Sequence, residues 1–127
     1  MTTIVVTAAV IERDGALLVT RRQAGVHLEG YWEFPGGKCD PGETIAACLA
    51  RELLEELDVD VQVGAEVFAT SHTYPDRTVE LHFLECRMRG EPRPQLGQEM
   101  QWAARDELSY LAFPPADGEL IQRLTGR

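Results

Sequence analysis

The sequence predicts an α/β chain of the α+β kind, with a mixed β-sheet held between helices. Three observations carry this. Several short runs alternate apolar and polar residues with a period of two, as half-buried strands do. One long segment, Ile45 to Leu57, instead repeats its apolar residues with a helical period. A second, shorter helical segment closes the chain, so helices are available to cover both faces of a sheet.

In order, Ile4 to Ile11 is rich in β-branched residues and reads as a strand, Asp14-Gly15 as a hairpin turn, and Ala16 to Arg22 as the returning strand. The stretch from 23 to 30 is a polar loop leading into the aromatic segment Tyr31-Trp32-Glu33-Phe34-Pro35. After the long helix, Val61, Val63, Ala65 and Val67 alternate as a strand, Tyr74-Pro75-Asp76-Arg77 turns, and Val79 to Met88 alternates again. Residues 90–97, with two prolines and two glycines, are expected to form a loop and a candidate mobile lid. Trp102-Ala103 reads as a short strand, Asp106-Glu107-Leu108 as the start of a helical turn, and the final helix runs from about Gly118 to Leu124.

Composition sets bounds. At 127 residues the chain is expected to form a single domain spanning 1–127. A hydrophobic fraction of 44% and a charged fraction of 26% are ordinary for a globular domain. No apolar run has the length of a membrane span, and the N-terminal stretch lacks the pattern of a signal peptide. A net charge of -9 argues against a duplex nucleic-acid surface, which needs basic contacts to phosphate. Cys39, Cys48 and Cys86 show neither metal-ligand nor disulfide spacing, so reduced thiols in a cytoplasmic protein are expected, with Cys48 a small buried filler. His72 and His82 are expected to be strand surface or packing residues, since no second ligand stands at metal spacing. Both a monomer and a homodimer are compatible with the sequence.

The chemistry concentrates between Gly36 and Val59. Gly36, Gly37, Pro41 and Gly42 make a tight loop, and Thr44 is placed to cap the helix that follows. Ala46, Leu49, Ala50, Leu53 and Leu57 form its apolar stripe. Beside that stripe Glu52, Glu55 and Glu56 crowd onto one arc, although like charges at this spacing each cost a few tenths of a kcal/mol. A helix built for stability alone would interleave lysines. Crowded carboxylates suit a hard divalent cation such as Mg²⁺, which takes oxygen ligands and leaves positions for water and phosphate.

The run from Gly37 through Glu43 and Arg51-Glu52-Leu53-Leu54-Glu55-Glu56 to Val59 closely resembles the Nudix box. It departs from that pattern only where Asp58 replaces the closing glycine, a left-handed position that costs Asp roughly 1 kcal/mol. The resemblance implies an α/β/α sandwich and hydrolysis of a nucleoside diphosphate linked to a further group, with Mg²⁺ or Mn²⁺ as cofactor. By matching positions, it implies that the Gly36 carbonyl, Glu52, Glu55 and Glu56 bind metal, while Glu43 and Arg51 brace loop and helix. It makes Glu52 the catalytic base, with Glu55 and Arg51 in the same machinery.

Further stretches (TRR at 20–22, WEFPGGK at 32–38, YPDR at 74–77 and FPPAD at 113–117) resemble the MutT-like branch, which cleaves nucleoside triphosphates to monophosphate and pyrophosphate. That resemblance implies that Arg22 and Arg77 contact the nucleotide, Phe34 flanks the base, and Asp117 reads its edge. The loop glutamate common in the branch is replaced by Leu96, and Glu99 is the nearest carboxylate able to serve. The implied partner is a small nucleoside triphosphate. An oxidised purine such as 8-oxo-dGTP is the leading substrate, a (d)CTP pyrophosphohydrolase is the alternative, and a nucleotide-binding module without turnover is the alternative of another class.

Overall fold

The computed structural model describes residues 2–26 and 28–126. The strands are β1 (Thr2–Val10), β2 (Glu12–Arg13), β3 (Ala16–Arg21), β4 (Trp32–Glu33), β5 (Gly36–Lys38), β6 (Asp60–Thr73), β7 (Arg77–Arg89) and β8 (Met100–Ala104). Helix α1 spans Ile45–Leu57 and α2 spans Gly118–Thr125, with short 3₁₀ turns at Arg105–Tyr110 and Pro115–Asp117. Residue 27, inside the expected polar loop, lies outside the described residues.

The expected sheet is divided into two of four strands. One has the order β5-β1-β7-β6; in the other, β2-β3-β4 form the path and β8 pairs with β3. The first is mixed, because β1 runs parallel to β7 and antiparallel to β5. Successive side chains of a strand point to opposite faces, and β1 uses this to serve two cores. Ala8 and Val10 join Phe83, Leu108 and Leu120 on the α2 side, while Ala9 and Ile11 join Leu49, Leu53 and Leu57 under α1. Helical cover on both faces, expected from the sequence, is what the molecule has.

Helix α1 has the expected bounds. Thr44 sits in extended conformation and its hydroxyl accepts the Ala47 N–H at 3.1 Å, satisfying one of the helix's unpaired donors. At the other end Asp58 adopts φ 50°, ψ 44°, the left-handed cap that a glycine would otherwise supply. The buried stripe is rotated from the one expected. Cys48, Leu49, Leu53 and Leu57 are buried, whereas Ala46 faces solvent, having only a methyl group to gain from burial.

The segment 90–97 is the loop expected, and two of its backbone N–H groups tie it to the end of α1. The last carbonyls of a helix lack intrahelical partners, and here Arg93 N–H donates to Leu57 O at 2.7 Å and Gln95 N–H to Glu56 O at 2.8 Å. Pro92 is buried beneath them. His82 pairs with Glu66 and Glu80, and His72 packs its ring on Tyr74, so both histidines are the surface and packing residues expected.

Candidate active site

The glycine loop is glycine for reasons of space. A Cβ on Gly36 would lie 2.0 Å from the Thr7 carbonyl oxygen, and one on Gly37 would lie 2.3 Å from Glu52 Oε2. Strand β5 thus presses against β1 on one side and against the Glu52 carboxylate on the other. Thr7, buried, donates its hydroxyl to Gly37 O at 3.4 Å.

Arg51 ties loop to helix. Its Nε and Nη2 donate to the two Glu43 carboxylate oxygens at 2.7 and 2.8 Å, a fork-to-fork pair. Nη1 reaches Glu52 at 3.0 Å and Glu55 at 3.2 Å, while Nη2 also donates to the Lys38 carbonyl at 3.2 Å. Hydrogen bonding to Arg51 holds the Glu43 carboxyl down at about 2.

The other carboxyls are pushed the opposite way. Burial, then the charges of Glu33 and Glu52, raise Glu56 to about 8, although the Gly36 N–H favours its ionised form. Burial also raises Glu52, with the Arg51 hydrogen bond opposing. Arg22 Nη1 lies 2.9 Å from Glu33, yet burial still outweighs that partner and raises Glu33. Asp117 is raised to about 7, by burial first and then by the charge of Glu33. Acidic groups crowded together and pushed toward their neutral forms are suited to a cation as counter-charge.

Among the described residues, no three His, Cys, Asp or Glu side chains converge tightly enough to hold an ion. Glu52 and Glu55 turn toward Arg51 instead. The donor set nonetheless fits a hard divalent cation: oxygen donors only, on one helix arc, with Glu55 59% exposed and free to swing.

Of the residues expected at the site, Gly36, Arg51, Glu52, Glu55 and Glu56 come together, and Arg22 and Asp117 join them through Glu33. Three do not. Phe34 is 3% exposed, stacked on Phe113 at 5.4 Å and edge-on to Phe83 at 6.1 Å, so it is a core residue. Arg77 lies at the β6–β7 turn with its guanidinium 5.8 Å over Tyr74. It pairs with Thr2, five positions along β1 from the Thr7–Gly37 pair, about 17 Å away at a strand's rise. Glu99 makes an ion pair with Arg21 at 3.2 Å. Thr20 pairs with both Glu33 and Met100, so Glu99, one position away, falls on the opposite face from Glu33.

Two features escaped the sequence reading. Glu33 was hidden in an aromatic segment; a lone acid between Trp32 and Phe34, with Arg22 closing the neighbouring strand, is the signal that could have found it. The second corrects the cysteine expectation. Cys39 and Cys48 form a disulfide, with Cα atoms 5.2 Å apart, and only Cys86 is free. Nine positions separate the two in sequence, but the loop doubles back onto the first turns of α1.

A cavity of about 490 Å³ lies away from this chemistry, between residues such as Gln62, Arg87 and Arg105, and touches none of the acidic helix. A shallower cleft of about 350 Å³ opens beside Arg22, bounded by Arg21, Glu29 and Glu99.

A two-sheet sandwich presenting a glycine loop, an arginine-braced acidic helix, the half-buried Glu33 and the buried Asp117 fits a phosphate-handling domain of the hydrolase type. A NUDIX domain profile matches residues 6–123, and the chain belongs to that family. It is 35% identical over 123 residues to a CTP pyrophosphohydrolase of Escherichia coli K12, covering 96% of this chain and 91% of that protein. It is 36% identical over 112 residues to an 8-oxo-dGTP diphosphatase of the same organism, covering 87% of each. The solution structure of the E. coli ORF135 protein superposes with a TM-score of 0.88 at 34% identity, covering 99% of this chain and 91% of that one.

The two glycines are expected to fail differently. Gly36→Ala drives a methyl into backbone and should lower stability by about 1–3 kcal/mol or more. Gly37→Ala meets only the mobile end of Glu52, so the protein should melt nearly as before while losing metal-dependent activity. Thermal melts beside activity assays check both; equal stability loss in the two variants contradicts the geometry.

Proposed function

We propose that the protein is a divalent-cation-dependent nucleoside triphosphate pyrophosphohydrolase, converting a (d)NTP to (d)NMP and pyrophosphate. Oxidised purine nucleotides such as 8-oxo-dGTP are the leading substrates. The observation that carries this reading is the convergence of an Arg51-braced acidic helix with Glu33 and Asp117, whose carboxyls burial pushes upward. The first suits a polyphosphate with its cations, the second the edge of a base.

Glu52, Glu55, Glu56 and the Gly36 carbonyl are the groups that would hold Mg²⁺ or Mn²⁺, in keeping with the family's general use of divalent ions. A cation held by these groups would supply charge neutralisation for the polyphosphate and activation of the attacking water. Glu52 accepts the proton of the attacking water at a carboxylate oxygen. Arg51 keeps Glu52 and Glu55 in register with the loop through Glu43. Arg22 faces the incoming phosphates, which compete with Glu33 for its guanidinium. Asp117 faces the base. Its side chain makes no helix-capping bond among the described residues, so it is left available to a ligand.

A second reading, (d)CTP hydrolysis, draws on the same residue: an ionised Asp117 accepts a bond from the cytosine N4 amine as readily as from guanine N1–H and N2. A panel of nucleoside triphosphates with Mg²⁺, separated by nucleotide chromatography, decides between the two. In either case the first products should be a monophosphate and pyrophosphate. Orthophosphate with a diphosphate would overturn the reaction class, and no turnover of any triphosphate would leave a binding module. Among the described residues no helix is long and apolar enough to cross a membrane, and a cytoplasmic nucleotide pool is the proposed place of action.

A further inference from the structure

The bond between Cys39 and Cys48 stands inside the site just described, joining the glycine loop to the acidic helix. Cys39 follows Lys38, whose carbonyl takes Arg51 Nη2 at 3.2 Å, and its own N–H donates to Val5 O at 2.9 Å. Cys48 lies one turn before Glu52 with 0% exposure; its sulfur is 3.5 Å from the Thr7 hydroxyl and 4.0 Å from the Gly37 carbonyl. Every other tether described between loop and helix is an ion pair or hydrogen bond. This one alone can be made and broken by electron transfer.

We propose that Cys39–Cys48 is a reversible thiol–disulfide exchange site that sets how firmly the glycine loop is held against the acidic helix, its reaction partners being a dithiol reductant and a peroxide. The inference rests on the hydrolase reading above. It adds a control to that site.

Burial decides the direction of attack. Cys39 is half-buried and Cys48 is closed off, so a dithiol's thiolate attacks Cys39 Sγ. The S–S bond breaks, Cys48 leaves as a thiolate and takes up a proton, and a mixed disulfide remains on Cys39. The reductant's second thiol then displaces Cys39, and the reductant departs as a disulfide carrying away the two-electron oxidation. In the other direction the Cys39 thiolate attacks an oxygen of hydrogen peroxide, the O–O bond breaks, hydroxide leaves and takes up a proton as water, and a sulfenic acid remains on Cys39. The Cys48 sulfur then attacks it, and water leaves as the disulfide forms.

Cleavage leaves the Arg51–Glu43 fork intact, so the loop slackens without unfolding. Gly36 and Gly37 then lose the covalent anchor three and two residues away. The oxidised form is the firm one, and the peroxide that forms it also forms oxidised bases. Hydrolysis is therefore strongest when its proposed substrates appear.

The test uses the full chain with dithiothreitol as reductant, hydrogen peroxide as oxidant and Mn²⁺ alone as the bound probe, read by electron paramagnetic resonance. Alkylation and mass spectrometry should count one free thiol in the oxidised form and three in the reduced. Mn²⁺ affinity should fall about three- to tenfold on reduction, as for loss of a group supporting a metal ligand, and the melting point should fall by about 5 °C. Cys39→Ser should behave as the reduced form under both treatments, and Cys86→Ser should keep both states. Equal Mn²⁺ affinity in the two forms would overturn the inference while leaving the metal site standing. Three alkylatable thiols after peroxide would overturn it too. No Mn²⁺ binding in either form would bring down this inference together with the hydrolase reading.

Discussion

Replacing Glu56 with glutamine should lower turnover by at least about 100-fold, the scale expected for loss of a catalytic metal ligand or a major electrostatic contribution. The fold should survive, because the change removes a carboxyl that its surroundings hold protonated. The sign follows from the raised value of about 8. A carboxyl whose folded pKa lies above its unfolded one stabilises the protein below the unfolded pKa, and that stability is lost as pH rises toward 8. Without divalent cations the native protein should therefore melt at lower temperature at pH 8 than at pH 5.5. Glu56→Gln should lose part of this dependence, and added Mg²⁺ should restore stability to the native protein more than to the variant. Near-normal turnover of Glu56→Gln at limiting Mg²⁺ would mean the metal lies elsewhere.

Asp117→Asn should change which base is preferred. With its carboxyl raised to about 7, Asp117 carries a proton below neutrality and can donate; above it, the group only accepts. The ranking of guanine, 8-oxoguanine and cytosine triphosphates should therefore shift across pH 7 in the native enzyme. An amide does not titrate, so in Asp117→Asn the ranking should be fixed. A hydrogen bond to a charged group is worth about 1.5–3 kcal/mol, or about ten- to a hundredfold in kcat/KM. Uracil and thymine triphosphates, lacking an exocyclic amine, should remain poor substrates throughout. Burial is the larger cause of that raised value and the charge of Glu33 the second, so Glu33→Gln should lower the Asp117 pKa and move the crossover to lower pH. A ranking indifferent to both pH and the substitution would remove Asp117 from the site.

Much of the site was legible because it is written locally. The spacing from Gly37 to Val59 fixes a loop, a cap and one helical arc, and all three form within a single stretch of chain, down to the left-handed Asp58. The fold class was legible for a similar reason: periods of two and 3.6 reveal faces, and faces need covering. What was not legible depends on pairing between distant segments. Phe34 looked available beside the metal loop, but Phe83 and Phe113, far along the chain, enclose it. Glu99 stood at a plausible distance in sequence, yet the path of the chain gives it Arg21 as its ion-pair partner. The division into two sheets likewise depends on which strand β1 chooses, and no local pattern records that β1 takes β7 rather than β3. The 39–48 disulfide needed the loop's path, which spacing alone does not give.

That choice of partner also governs how the chain is born. Thr2 pairs with Arg77 and Val10 with Glu85, so β1 meets its parallel neighbour only after some 75 further residues have been added. At about 5–20 residues per second on a ribosome, β1 waits on the order of 4 to 15 s without its parallel neighbour. Helix α1 completes its own turns in that interval but lacks the surface that Leu84 and Cys86 later supply. The delay should make β1, rich in valine and threonine, the segment most exposed to misassociation during synthesis.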